Sequence, residues 1–429
     1  MNITLTADFK PTKKNKFFSL LLLILFSIGL CLVPATSASD KINIEGLQYG
    51  QFTFTLQTEP TGYEDAFQFI RFKEKIKKNL LWSGLYQFVS EIEQSDIIIT
   101  LNYVANKRVS AFIDSKWGSR FLVREKSLLS NEPQQIDEVI SQITYHLTGE
   151  TNHLGNAIIY VEKGDFPGYR LILTDPFGNA RNVLIDDGNL NILPRWKPDS
   201  SSVLFTSLGK DGSHIKQYDF LNNQVETFLS SEHKFSGGTW GKNGELIITI
   251  TKNGNSDLYK INHQGKILEQ LTNRSSTESN PRWSPNGKRL VFISNRSGSI
   301  QIYQKDMIKG TVSRMTYEGG TNVEPNWSAN GGYIVFAGMR NGLYQICLMD
   351  KEGEYLQQVT NGADSSEQPV WAPSGRQILF ISKRGTDYKL YIMNADGTGK
   401  RRVTKSGRGI SEFNPTWTAN FDWQQLLNN

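Results

Sequence analysis

The sequence predicts a small N-terminal α/β domain followed by a six-bladed β-propeller, and three observations carry that prediction. Six tryptophans, Trp196, Trp240, Trp283, Trp327, Trp371 and Trp417, are spaced by 44, 43, 44, 44 and 46 residues. Periods of about 40 to 50 residues with several short strands per unit mark propeller blades. Related strings follow five of these tryptophans: KPDSSSVLFTSLGKD, GKNGELIITITKNGN, SPNGKRLVFISNRSG, SANGGYIVFAGMRNG and APSGRQILFISKRGT. Between an apolar leader and the ring, which starts near residue 151, lie about 110 residues without any such repeat.

Each unit reads as four strands. In Ser284-Pro285-Asn286-Gly287, Pro fixes φ for a turn and Gly supplies positive φ, which joins two antiparallel strands. The next strand is Leu290-Val291-Phe292-Ile293, repeated as Ile334-Val335-Phe336 and Ile378-Leu379-Phe380-Ile381. These runs do not alternate polar with apolar, so both faces are expected to be buried between neighbouring blades. The six tryptophans are expected to pack in the core between blades. A turn such as Asn295–Gly298 leads to Ile300-Gln301-Ile302-Tyr303, and an outer strand ends in Val359-Thr360 or Val403-Thr404. Trp417 opens a sixth unit whose chain runs only twelve residues further. Its three missing strands are supplied by Ala157–Val161, Arg170–Leu173 and Asn182–Ile185, so a C-terminal strand should clasp N-terminal ones and leave no long free edge.

Upstream, Lys10, Lys13, Lys14 and Lys16 precede an apolar run from Phe17 to Val33 and the small residues Thr36 to Ser39. That is the order of a secretory signal peptide over residues 1–39, removed near Asp40; an uncleaved anchor is the alternative. Cys31 raises a lipoprotein reading, but Leu30 stands where a lipobox needs a small residue. The full chain carries +5, and the leader holds four lysines and one aspartate, so cleavage leaves about +2 with both signs intermixed. A basic nucleic-acid surface gains no support from this balance. The one cysteine left, Cys347, cannot form an intrachain disulfide, so the core must supply stability.

The domain of residues 40–150 reads as α/β. Phe69, Phe72, Ile76 and Leu80 recur at helical spacing, and strands are expected at Asp96–Leu101, Ser110–Ile113 and Phe121–Val123. A second helix starts at the Asn131 cap, carries an apolar stripe from Ile136 to Leu147 and stops at Gly149. The propeller is expected over residues 151–429.

No Gly-x-Ser-x-Gly elbow occurs, and the five histidines show no metal-ligand spacing. The notable surface pattern is electrostatic. Connections entering the inner strand carry Glu278, Glu324, Glu367 and Glu412, three to five residues before a blade Trp. Turns between the second and third strands carry Arg296, Arg340 and Arg384, and strand reversal returns both sets to one face. Either they pair with each other at blade junctions, or they face solvent and orient a protein partner. His233, in the connection before Trp240, joins the same face.

The leader, the α/β domain with Ser83-Gly84-Leu85, the junction Leu147-Thr148-Gly149 and the Trp-Ser-Pro-Asn-Gly blades together resemble the TolB family, periplasmic propellers of the Tol-Pal system. The resemblance implies a periplasmic, non-enzymatic adaptor without cofactor. It would dock Pal, the peptidoglycan-associated lipoprotein, communicate with inner-membrane TolA, and maintain outer-membrane integrity and constriction during cell division. Other outer-membrane lipoproteins or porins are further candidate partners, and nucleic acid is not one. A family-like TolA-binding arm falls on Asp40, Lys41, Ile42, Asn43, Ile44 and Glu45, whose alternation equally fits a first strand of the α/β domain. A small-ligand or peptidase-related propeller is the alternative function.

Overall fold

The computed structural model describes residues 52–59, 73–74, 76–78, 80–81, 86–104, 108–116, 120–127, 142, 156–231, 233–241, 243–418 and 421–426. The expected leader (1–39) and arm (40–45) lie outside the described residues. So does the second helix, except for Gln142, which is helical.

The N-terminal strands form one five-stranded sheet. Its order is Tyr86–Phe88, Phe52–Glu59, Ile97–Val104, Arg108–Ser115 and Arg120–Ser127. Phe52–Glu59 runs parallel to both neighbours, and the other pairs are antiparallel. The register stacks Phe54 beside Ile97 and Leu56 beside Ile99, then Ile99 beside Ile113 and Leu101 beside Ala111. The period of two puts these side chains on one face, and all are buried. Ile76 and Leu80, four apart among helical residues, are fully buried as well. The strand Phe52–Glu59 was not anticipated, and Phe69 and Phe72 lie outside the described residues.

The propeller has six sheets of four strands. The inner strands are Leu190–Trp196, Lys234–Trp240, Glu278–Trp283, Asn322–Trp327, Ser366–Trp371 and Ser411–Thr418, belonging to blades 1 to 6. They touch one another in a closed cycle, which places them around a central channel. Blade 6 is closed as expected: Ser411–Thr418 pairs with Ala157–Lys163, from Ser411 beside Lys163 to Thr418 beside Ala157. Arg170–Thr174 and Asn182–Ile185 complete it.

The blade string explains itself locally. The Ser284 hydroxyl donates to Asn286 Oδ1 (2.8 Å) and accepts the Arg289 N–H (2.9 Å), while Gly287 N–H donates to Ser284 O at φ +71°. Ser328, Asn330 and Gly331 repeat the arrangement. Second strands are buried on both faces: Leu290, Val291, Phe292, Ile334, Val335 and Phe336 have no exposed surface. The outer-strand Thr is a fastener. Thr360 Oγ1 accepts the Ile346 N–H (2.9 Å) and donates to Gln345 Oε1 (2.7 Å), as Thr316 does with Ile302 and Gln301.

Cores lie between blades. Trp327 packs with Val291, Ile302 and Met315 of blade 3 and with Ile334 and Phe336 of its own blade. Trp196, Trp327, Trp371 and Trp417 are at most 9% exposed, whereas Trp240 and Trp283 are half-buried. The expectation that every blade Trp is deep core therefore holds for four of the six. The other two keep part of their surface on the channel end described below.

Candidate docking face and channel

The entering connections and the turns between second and third strands do meet on one face. Met339 N–H donates to Thr321 O (2.8 Å), Lys383 N–H to Ser365 O (2.9 Å), and Thr277 N–H to Asn295 Oδ1 (2.9 Å). Antiparallel pairing within each blade forces this, because it returns the third strand to the start of the first.

Between the glutamates and arginines of this pattern, Glu278–Arg296 is the one ion pair among the described residues. Glu278 Oε1 accepts from Arg296 Nη2 (2.6 Å), Ser276 Oγ (2.6 Å) and Ser294 Oγ (3.0 Å), and the Arg296 guanidinium lies 4.8 Å from the Tyr303 ring centre. In blade 4, Arg340 donates to Met339 O (3.0 Å) and Asn322 Oδ1 (3.4 Å) instead of a carboxylate. Arg384, in blade 5, pairs with Asp364 at 2.9 Å and with the Tyr391 hydroxyl at 3.0 Å. Glu367 accepts from the Tyr388 hydroxyl at 3.3 Å. Glu412 accepts the Leu390 N–H and the Thr404 hydroxyl, each at 2.7 Å.

Of the two readings, pairing within the blade or facing solvent toward a partner, the structure removes the second for two of these acids. Glu278 and Glu412 are 0% exposed, so they cannot touch a partner as the ring stands. The reason is register. Glu278, Asn322, Ser366 and Glu412 each stand five residues before their Trp, where the inner strand points into the blade interior, and all are buried. His233, Arg296, Arg340 and Glu367 are half-buried and Arg384 is exposed. Tyr317, 72% exposed in the connection entering blade 4, belongs to this face and was missed. An aromatic inside the polar stretch Tyr317-Glu318-Gly319-Gly320 was the available signal.

Glu324 sits elsewhere, three residues before its Trp. At that position all six inner strands turn left-handed: Leu193, Gly237, Asn280, Glu324, Gln368 and Asn414 have φ between +47° and +60°. A register shift marks each as a bulge. Side chains there reach to the next blade. Glu324 Oε2 accepts the Gln368 N–H (2.7 Å), Gln368 Oε1 the Asn414 N–H (2.5 Å), and Asn414 Oδ1 the Leu193 N–H (3.3 Å). This half-ring of hydrogen bonds ties blades 4, 5, 6 and 1 together around the channel. Leu193 and Gly237 have no side-chain acceptor to continue it.

Enclosure tunes the charges here. Burial raises the Glu324 carboxyl from 4.5 to about 7, against the Gln368 N–H that favours the anion, with Glu367 adding repulsion. Arg195 and Arg282 stand one residue before their Trp. Burial brings Arg282 down to about 10, and burial with repulsion from Arg282 holds Arg195 well below its usual range. All three are half-buried, and Arg195 and Arg282 face the channel cavity. Among the described residues, no cluster of three or more His, Cys, Asp or Glu could hold a metal ion, and no helix is long and apolar enough to cross a membrane.

With this geometry established, comparison with known proteins is direct. A family model described as the TolB beta propeller domain matches residues 145–420. A protein TolB homolog of Chlorobium luteolum is 28% identical over 165 residues, 38% of this chain and 37% of that protein. The Tol-Pal system protein TolB of Helicobacter hepaticus is 30% identical over 117 residues, 27% of this chain and 28% of its own. The chain thus spans less than two fifths of the length of either relative. The crystal structure of TolB from Acinetobacter baumannii superposes with a TM-score of 0.72 at 20% identity, covering 85% of this chain and 96% of that one, a likeness of fold. The sixfold Trp repeat, the strand clasp and a family model covering more than half of the residues lead to one conclusion: the chain belongs to the TolB beta-propeller family.

Proposed function

We propose that the chain is a periplasmic protein-binding adaptor of the Tol-Pal system. Family membership over residues 145–420 is the observation that carries this reading, and the relatives' names supply the system. The adaptor docks Pal on the face of entering connections and turns. Tyr317 and Arg384 are its exposed anchors, with His233, Arg296, Arg340 and Glu367 around them. Aromatic and arginine side chains are the types that dominate binding energy in interfaces. Glu278 acts from beneath, holding the Arg296 guanidinium against Tyr303 so that it is presented without losing side-chain entropy on binding. The segment Asp40–Glu45 meets TolA as an added strand, and cleavage near Asp40 releases the chain into the periplasm. The role is binding rather than catalysis.

Calorimetric titration of Pal into the full chain tests this. Tyr317→Ala with Arg384→Glu should weaken Pal binding by about 2 kcal/mol or more if the pair is central, with little change in melting temperature. Deleting residues 40–45 should abolish TolA binding and spare Pal binding. Unchanged Pal affinity in the folded double variant would place the docking face elsewhere.

A further inference from the structure

The end of the channel away from the proposed docking face holds a cavity of about 240 Å³. Its wall includes Arg195, Arg282, Thr239, Asn326 and Thr416, all at the position preceding a blade Trp. Among the described residues, the two arginines are the charged groups of that wall and no carboxylate lines it. Each sits in a Pro-Arg-Trp sequence, in blades 1 and 3, and each spends one N–H on the carbonyl of the proline before it: Arg195 Nη1 on Pro194 O (2.6 Å) and Arg282 Nη1 on Pro281 O (2.8 Å). Arg195 Nε is buried without any hydrogen-bond partner. Asn326 Oδ1 accepts the Trp371 N–H (3.0 Å), which leaves the Asn326 amide NH₂ as a donor.

A guanidinium offers five donors and no acceptor, and a buried cation without a counter-charge is costly. Here two such cations are near enough to repel each other, and the one carboxyl that attracts them, Glu324, is itself kept reluctant to ionise by burial. We propose that this cavity is a binding site for a divalent phosphate-class oxyanion, held between Arg195 and Arg282. A monoanion would neutralise one guanidinium only, whereas a phosphate dianion answers both and accepts from several donors at once. The Pro-Arg carbonyl bonds fix both forks before the ligand arrives, so little side-chain entropy is lost on binding. The site is independent of the docking face, because its residues lie at the other end of the inner strands.

The test is a titration of the full chain with inorganic phosphate at constant ionic strength, followed by ³¹P line broadening. Saturable binding is expected, about tenfold weaker in Arg282→Gln, the loss that one charged hydrogen bond carries, and absent in the Arg195→Gln, Arg282→Gln double variant. Without phosphate, Arg282→Gln should melt at or above the parent temperature, since it removes an uncompensated buried charge; the single variant therefore remains a folded control. A competing titration with glycerol 3-phosphate identifies the occupant: displacement at lower concentration than free phosphate points to a phosphate ester, and the reverse to the free ion. No saturable broadening in the folded parent chain, or equal affinity in parent and Arg282→Gln, would overturn the proposal.

Discussion

Replacing Glu324 by Gln should stabilise the propeller at alkaline pH and do almost nothing at acid pH. The substitution keeps an oxygen to accept the Gln368 N–H at 2.7 Å, so the blade-to-blade bond survives while the charge is removed. The carboxyl rises from 4.5 in the unfolded chain to about 7 in the channel, chiefly through burial. A raised carboxyl pKa means that the folded state binds the proton more tightly. Its stabilising contribution is complete below pH 4.5 and is lost progressively as pH rises through 7. Every tenfold gain in proton affinity on folding corresponds to about 1.4 kcal/mol, so the full effect is about 3 kcal/mol at most. Urea unfolding of parent and variant at half-unit steps from pH 4.5 to 8.5 measures it directly. The curves should coincide near pH 4.5 and diverge until about pH 7.5, with the variant the more stable. If the parent is instead the more stable above pH 7, Glu324 is an ionised partner of Arg282, and the account of the channel charges fails. Parallel curves would show that Glu324 titrates as an ordinary surface carboxyl.

Three further outcomes follow from the same structure. Removing residues 411–429 strips the inner strand from blade 6 and takes Trp417 out of its core, so cooperative urea unfolding should vanish; a truncated chain that melts like the parent would refute the clasp. Trp371→Ala, at a side chain 4% exposed, should cost about 3 kcal/mol in chemical unfolding through the cavity it leaves, and a cost below about 1 kcal/mol would mean that the blades do not meet there. Glu278→Ala leaves Arg296 without its carboxylate beneath the surface and should cost about 3 kcal/mol, whereas the same change at Asp364, whose ion pair with Arg384 is solvent-exposed, should cost less than about 1 kcal/mol.

The ring was legible because the blades repeat one solution: Trp near the end of the inner strand, a short polar turn that in blades 3 and 4 is Ser-x-Asn-Gly, and an apolar strand buried on both faces. Twelve residues after Trp417 sufficed to infer the clasp, since a free sheet edge is unfavourable. The N-terminal sheet was only partly legible: Ile97–Leu101 reads as a strand at sight, whereas Phe52–Glu59, which alternates apolar with polar residues between Gly50 and Pro60, carried the strand signal and was overlooked. The charged face was read too coarsely. Counting carboxylates three to five residues before Trp merges positions that alternate across a strand and then pass through a bulge. Glu278 and Glu412 consequently point inward, and Glu324 reaches around the channel. A fixed offset from Trp would have aligned Leu193, Gly237, Asn280, Glu324, Gln368 and Asn414, where Gly237, Asn280 and Asn414 are of types that favour a left-handed backbone but Leu193, Glu324 and Gln368 are not. Arg195 and Arg282 would have emerged from the same alignment as the cations preceding Trp.

The most direct test of the adaptor assignment is amide hydrogen exchange of the full chain with and without Pal. Slowed exchange should concentrate in residues 315–321, 340–343 and 384–387, on the face that carries Tyr317 and Arg384, and leave the Trp-proximal turns 284–288 and 328–332 unchanged. Protection at those Trp-proximal turns, or no protection at saturating Pal, would contradict it.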